Sequence, residues 1–143
     1  MKAVVAAPVA VLAAVLAAVP AVADPDTANP TTPSVSLPFV DHTEWTRWGR
    51  TTSLRVYPTA SGRAAARQPG LAGAADEAWA EVLALSPDAD TPGMRAQFVC
   101  HWQFAEFAQP GKTSWNLEPW RPVVGDAEMV ASRCNPGGPE EPF

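Results

Sequence analysis

The sequence predicts a small α+β domain, and three features carry that expectation. Aromatic and β-favouring residues alternate across Phe39–Tyr57 as a hairpin would. Apolar residues then recur at helical spacing over Gly73–Leu85 and again from Met94. Last, the only two cysteines, Cys100 and Cys134, bracket a segment too broken by proline to be one helix or one strand. The expected architecture is an N-terminal β-hairpin packed on one or two helices, followed by a disulfide-tied, Pro-rich C-terminal lobe.

The chain opens with one positive charge at Lys2 and an apolar run of Ala, Val and Leu over Ala3–Val19, closed by Pro20. Ala21-Val22-Ala23 places small residues where a signal peptidase reads them. Residues 1–23 are therefore expected to be a secretory signal cut after Ala23. An uncleaved anchor fits less well, because the run is Ala-rich, interrupted by Pro8 and short of the ~20 strongly apolar residues of a span. No cysteine stands at the cleavage site for lipid attachment, and no twin arginine precedes the run. Localisation outside the membrane or in the envelope follows, with no stable membrane span after cleavage.

Cleavage removes Lys2 and no acidic residue, so 9 of the 10 Lys+Arg remain against all 15 Asp+Glu, a net charge of −6. Such an acidic product has no electrostatic reason to seek nucleic acid, whose attraction rests on Lys and Arg. In an exported chain, two cysteines are expected to form one bridge. The alternative, a metal held by Cys100 and His101, lacks the further ligands that zinc requires at recognisable spacing. No metal and no cofactor are expected.

Residues 24–38 hold Pro25, Pro30, Pro33 and Pro38 among small polar residues and read as a disordered Pro-rich linker. The folded domain is expected over 39–138. Phe39–Trp48 and Ser53–Tyr57 form the hairpin, turned at Gly49–Thr52, with Leu54 and Val56 on the inner face. Ala60–Gly70 reads as a small-residue connector. Leu71, Ala75, Ala78, Val82 and Leu85 make the stripe of an amphipathic helix over Gly73–Leu85, stopped by Ser86-Pro87. Asp88–Gly93 resembles a calcium loop only briefly, since Pro92 occupies a ligand position; Thr91 as N-cap before Pro92 is the simpler account.

Met94–Phe107 carries both periods: Phe98, Cys100, Trp102 and Phe104 alternate, while Met94, Phe98 and Trp102 lie four apart. A helix is expected, with a strand beginning near His101 as the alternative. Residues 123–134 suit either a short strand or a turn of helix, and residues 139–143 a flexible tail.

Several of these residues together resemble a known family. Gly93-Met94, Gln97, Cys100-His101, Trp115-Asn116-Leu117-Glu118-Pro119, Arg121-Pro122 and Cys134-Asn135-Pro136 are similar to the secreted actinobacterial domain-of-unknown-function family numbered 2599. Val40–Trp48 and Ser53–Pro58 fit it as well. The likeness runs from Val40 to Gly138, with particular similarity to the mycobacterial conserved secreted members. It implies export and a pairing of Cys100 with Cys134. It implies no reaction, because it brings no catalytic residues.

Two sets of residues suit a site. His101, Glu118 and Arg121, with Asn116 nearby in sequence, combine a histidine titrating near neutrality with a carboxylate and a guanidinium, which suits acid–base work on an anionic or ester substrate. Glu118 and Arg121 equally suit a pair locking a proline-bounded turn, and no nucleophile motif accompanies them. Asp41, His42 and Glu44 are a weaker second cluster, better suited to a surface pair. Of the six tryptophans, Trp48, Trp115 and Trp120 are the candidates for an exposed binding surface that stacks on sugar rings; core packing is the competing role. The function expected is a non-enzymatic binding or envelope-associated module, its partner a cell-wall glycan or an envelope protein. The alternative is a small secreted hydrolase using His101 and Glu118.

Overall fold

Alternation of side chains in a strand means that one face of the hairpin must find cover, and two helices provide it. The computed structural model describes residues 35–71 and 73–139, which belong to one unit, Thr31–Phe143. The expectations for the signal segment, for residues 24–34 of the linker and for residues 140–143 of the tail lie outside the described residues. Strands β1 (Val40–Trp48) and β2 (Thr51–Pro58) pair antiparallel, from His42 opposite Tyr57 to Trp48 opposite Thr51. The register shifts between Val40 and His42. A third strand, β3 (Trp115–Leu117), pairs antiparallel with β2, giving the order β1-β2-β3.

Directly paired residues share a face. Leu54 with Leu117 and Val56 with Trp115 therefore define the inner face, and all four are fully buried. Helices α2 (Ala74–Leu85) and α3 (Met94–Ala108) supply the rest of the core, including Trp79, Val82, Phe98 and Trp102. Phe98 contacts the rings of Trp79, Trp102 and Trp115 at centroid distances of 5.5 to 6.1 Å. Phe39 meets Trp102 edge-on at 5.7 Å. Aromatic area thus fills a core that a chain this short could not fill with aliphatic residues alone.

Several sequence expectations are corrected. The connector Ala60–Gly70 contains a helix, α1 (Ala60–Ala66), capped by the Thr59 hydroxyl, which accepts from the Gly62 N–H. Gly62 is required there: a Cβ at that position would stand 2.2 Å from the Phe39 carbonyl oxygen. α2 buries Ala74, Ala78, Trp79 and Val82, whereas Leu71 precedes the helix and is exposed, as is Leu85. Thr91 does not cap α3; Gly93, in the left-handed region at φ 86°, is its N-cap. Residues 123–134 take their helical alternative, α4 (Asp126–Ala131). Val35 and Ser36, assigned to the linker by composition, belong with the domain: Val35 packs against the core and the Ser36 N–H donates to Ser61.

Two links then hold these elements together, and only the second, the disulfide, was expected from the sequence. Glu81 on α2 accepts from the N–H groups of Phe39 and Val40 at 2.8 and 2.7 Å, closing the open start of β1. Cys100 on α3 bonds covalently to Cys134, just past α4. With Met129, the two sulfurs form a small second cluster beside the main core. The helix pair α3–α4 is thereby stapled where its own apolar contact is thin. Closing a loop of this size is worth about 3.7 kcal/mol in the chain-entropy account. Reduction, or a Cys100→Ser/Cys134→Ser double substitution, is expected to lower the melting temperature by on the order of 10 °C. Calorimetry with and without reductant measures it, and an unchanged transition would contradict the staple's role.

Candidate functional site

The C-terminal half of the domain is organised by polar residues on the buried face of one helix. α3 buries Met94, Gln97, Phe98, His101, Trp102, Ala105 and Glu106, so three polar side chains lie on a stripe that is otherwise apolar. Each holds a different piece of chain. The Gln97 amide donates from Nε2 to the Glu118 carbonyl and accepts at Oε1 from the Glu118 N–H, both at 2.9 Å. His101 forms a hydrogen bond with the backbone of Asn116. Glu106 accepts from Arg63 at 2.5 Å and from Arg67 at 2.7 Å, which secures α1.

Glu118 and Arg121, two of the catalytic candidates, are fully enclosed, with side-chain exposure of 0% for both. Arg121 Nε donates to Glu118 Oε2 at 2.6 Å, while Ser53 Oγ donates to Oε1 at 3.1 Å. The remaining guanidinium nitrogens donate to the carbonyls of Pro136, Gly138 and Pro139. The pair-locking role weighed in the sequence is the one this geometry fits. A carboxylate held by a guanidinium and a hydroxyl, with no exposed surface, has no lone pair turned toward a substrate. His101 and Glu118 are not joined to each other by any hydrogen bond among the described residues.

His101 does not titrate near neutrality. Its pKa is lowered from 6.5 to about 3, chiefly by burial, with Lys112 and Arg121 adding to the depression. The bond to the Asn116 backbone acts in the opposite sense, which identifies the ring as the donor. Nε2 has no partner among the described residues, so Nδ1–H makes that bond and Nε2 keeps its lone pair as an acceptor. The ring lines a cavity of about 510 Å³ between the second half of α3 and the end of α4. Arg133 and Cys134 take the left-handed conformation, at φ 53° and 65°, and the Cys134 N–H bonds back to the Met129 carbonyl. This reversal terminates α4 and brings Cys134 and Asn135 to the same cavity wall. Asn135 Oδ1 is likewise buried and unpartnered.

The tryptophan candidates separate. Trp115 is fully buried, which corrects the expectation of an exposed ring: its pairing with Val56 points it into the core. Trp120 is 40% exposed, with the Arg121 guanidinium 4.6 Å from its ring centroid, so one face is already covered. Trp48 is 57% exposed, and Trp45, which sequence reasoning did not select, is 39% exposed. Both lie on β1, an edge strand, and their odd spacing places them on opposite faces of it. Nearer the start of the strand, Asp41 and His42 form an exposed pair at 2.6 Å, and His42 stacks on Tyr57 at 4.0 Å. No group of His, Cys, Asp and Glu among the described residues is arranged to hold a metal ion.

The buried imidazole gives a pH dependence of known sign. Unfolding returns His101 to its ordinary pKa, so between pH 6.5 and about 3 the unfolded chain binds the extra proton. Stability present above pH 6.5 is therefore lost on acidification, at up to about 1.4 kcal/mol per pH unit. Urea unfolding across this window should show that loss in wild type and much less of it in His101→Asn, whose amide can still donate to Asn116. Parallel curves would contradict the assignment.

Comparison with known proteins places the chain among relatives of undefined role. An uncharacterized protein of Mycobacterium tuberculosis (strain H37Rv) is 61% identical over 149 residues, covering 100% of both chains. An uncharacterized protein of Mycobacterium bovis matches to the same extent. One from Mycobacterium leprae is 61% identical over 109 residues, 76% of this chain and 88% of its own. No solved structure matches. The family model described as protein of unknown function, DUF2599, matches residues 40–137, from the first strand to just past the Pro136 carbonyl that Arg121 holds, and the chain belongs to that family.

Proposed function

We propose that the mature chain is an exported, non-enzymatic binding module of the cell envelope, and that it engages its ligand through the exposed aromatic edge of the hairpin. One observation carries this reading: Trp48 and Trp45 stand 57% and 39% exposed on an edge strand. Large rings left in water on opposite sides of one strand present flat apolar surface to a ligand that can lie along it. Pyranose rings of a cell-wall glycan have the matching shape, with axial C–H groups that pack on indole. The acidic balance of the mature chain suits a neutral or partly cationic glycan better than an anionic polymer.

A second reading is favoured by one further observation. Among the described residues β1 pairs with β2 alone, so beyond the Val40 N–H that Glu81 takes, its outer edge suits pairing with a strand from an envelope protein. The hydrolase alternative receives no such support, because the carboxylate it needs is consumed inside the fold.

Co-sedimentation of the mature protein with protease-treated, insoluble cell-wall glycan tests the first reading. Wild type should pellet, and Trp48→Ala, at an exposed position where folding is undisturbed, should lose about tenfold in affinity. Retention by both variants alike, or by neither, would contradict it. Binding that protease treatment abolishes would favour the protein partner.

A further inference from the structure

We infer that the cavity beside the disulfide is a second binding site, one that takes a small hydroxyl-bearing carboxylate such as a sugar acid. The inference does not rest on the hairpin reading. It begins from two of the three buried side-chain polar atoms that are unmatched among the described residues, the third being Trp115 Nε1 in the main core. His101 Nε2 and Asn135 Oδ1 are both buried and unpartnered, and both belong to residues of the same cavity wall. Such atoms are uncommon in folded proteins, because each costs a desolvation that no hydrogen bond recovers.

Their chemistry says what is missing. Nδ1–H of His101 is spent on the Asn116 backbone, so Nε2 can only accept. Asn135 Nδ2 donates to the Arg133 carbonyl at 2.8 Å, which fixes the amide orientation and leaves Oδ1 as an acceptor too. Two acceptors in one wall call for a ligand that donates, and hydroxyl groups donate. A buried, neutral imidazole cannot convert to a donor at ordinary pH.

The charges of the wall supply the second half of the specificity. Lys112 and Arg133 both line the cavity, and no Asp or Glu among the described residues does. In a chain with more acids than bases this is a local reversal of sign, and it favours an anionic group on the ligand. Phe104, 42% exposed, adds an apolar platform on one side. The volume of about 510 Å³ lies in the ordinary range for small-molecule sites and is ample for one monosaccharide. A bare anion would leave the two acceptors unmatched, and a neutral sugar would draw nothing from the positive potential of the wall.

Heteronuclear NMR titration of the mature, oxidised protein with D-glucuronate tests this, with D-glucose and acetate as comparators. Glucuronate should give saturable shifts at His101, Lys112, Arg133 and Asn135, including the Nε2 resonance of His101 as its lone pair accepts a hydrogen bond. Lys112→Met and Asn135→Ala should each weaken binding by about fivefold or more. Asn135→Ala removes only an unpaired acceptor and a single local bond, so it remains informative should a His101 variant fold poorly. Absence of saturable shifts would overturn the inference, as would shifts that both variants leave intact. Acetate binding as tightly as glucuronate would remove the hydroxyl requirement, and glucose binding as tightly would remove the anionic one; either result overturns the site as stated.

Discussion

A three-residue strand with a partner on one side only is the weak point of this fold, and the structure depends on how its bare edge is closed. Among the described residues β3 pairs with β2 and with no other strand. Asn116 and Glu118, two residues apart, turn their backbone groups to the same side. Side chains of α3 meet them there: Gln97 takes both the N–H and the carbonyl of Glu118, and His101 bonds to Asn116. An amide side chain presents the same donor and acceptor as a peptide group, so Gln97 stands in for the missing strand. Left unmatched in a buried site, each of those backbone groups would cost about 1–3 kcal/mol.

From that fixed strand the rest of the C-terminal lobe is hung. Glu118, held by its backbone, offers its carboxylate to Ser53 of β2 and to Arg121. Arg121 then gathers the carbonyls of Pro136, Gly138 and Pro139, a stretch with no regular secondary structure to satisfy them. Removing one member of such a buried pair costs about 3–5 kcal/mol, because the other charge is stranded. This use of charge separates the functional readings. The polar residues that look catalytic in sequence are consumed as architecture, whereas the aromatic edge of the hairpin and the unmatched atoms beside the disulfide are left over from it.

Much of this was legible in the sequence, for stated reasons. The hairpin, α2 and α3 follow from periodicities of two and of about 3.6, and the paired cysteines follow from an expected oxidising compartment. α1 escaped notice because Ala, Gly and Ser carry no amphipathic signal, and its position is dictated by Thr59 and by the approach of Gly62 to Phe39. The burial of Trp115 is set by pairing register, which depends on a partner strand far away in the chain. One signal was present and went unused. Gln97, His101 and Glu106 fall on the apolar stripe of Phe98 and Trp102, and polar residues in that position call for buried partners. The unmatched Nε2 and Oδ1 atoms had no signature at all, since they are defined by what the folded chain fails to supply.

Hydrogen–deuterium exchange of the oxidised protein, comparing wild type with Gln97→Met, probes the closure of the β3 edge most directly. Methionine keeps the volume and the helix while deleting both bonds to Glu118. Protection should fall together at Asn116–Glu118 and at the amides of Gly137 and Gly138, with α2 and the body of the hairpin unaffected. Protection that persists in both segments would mean that the strand and its lobe hold themselves in place without α3.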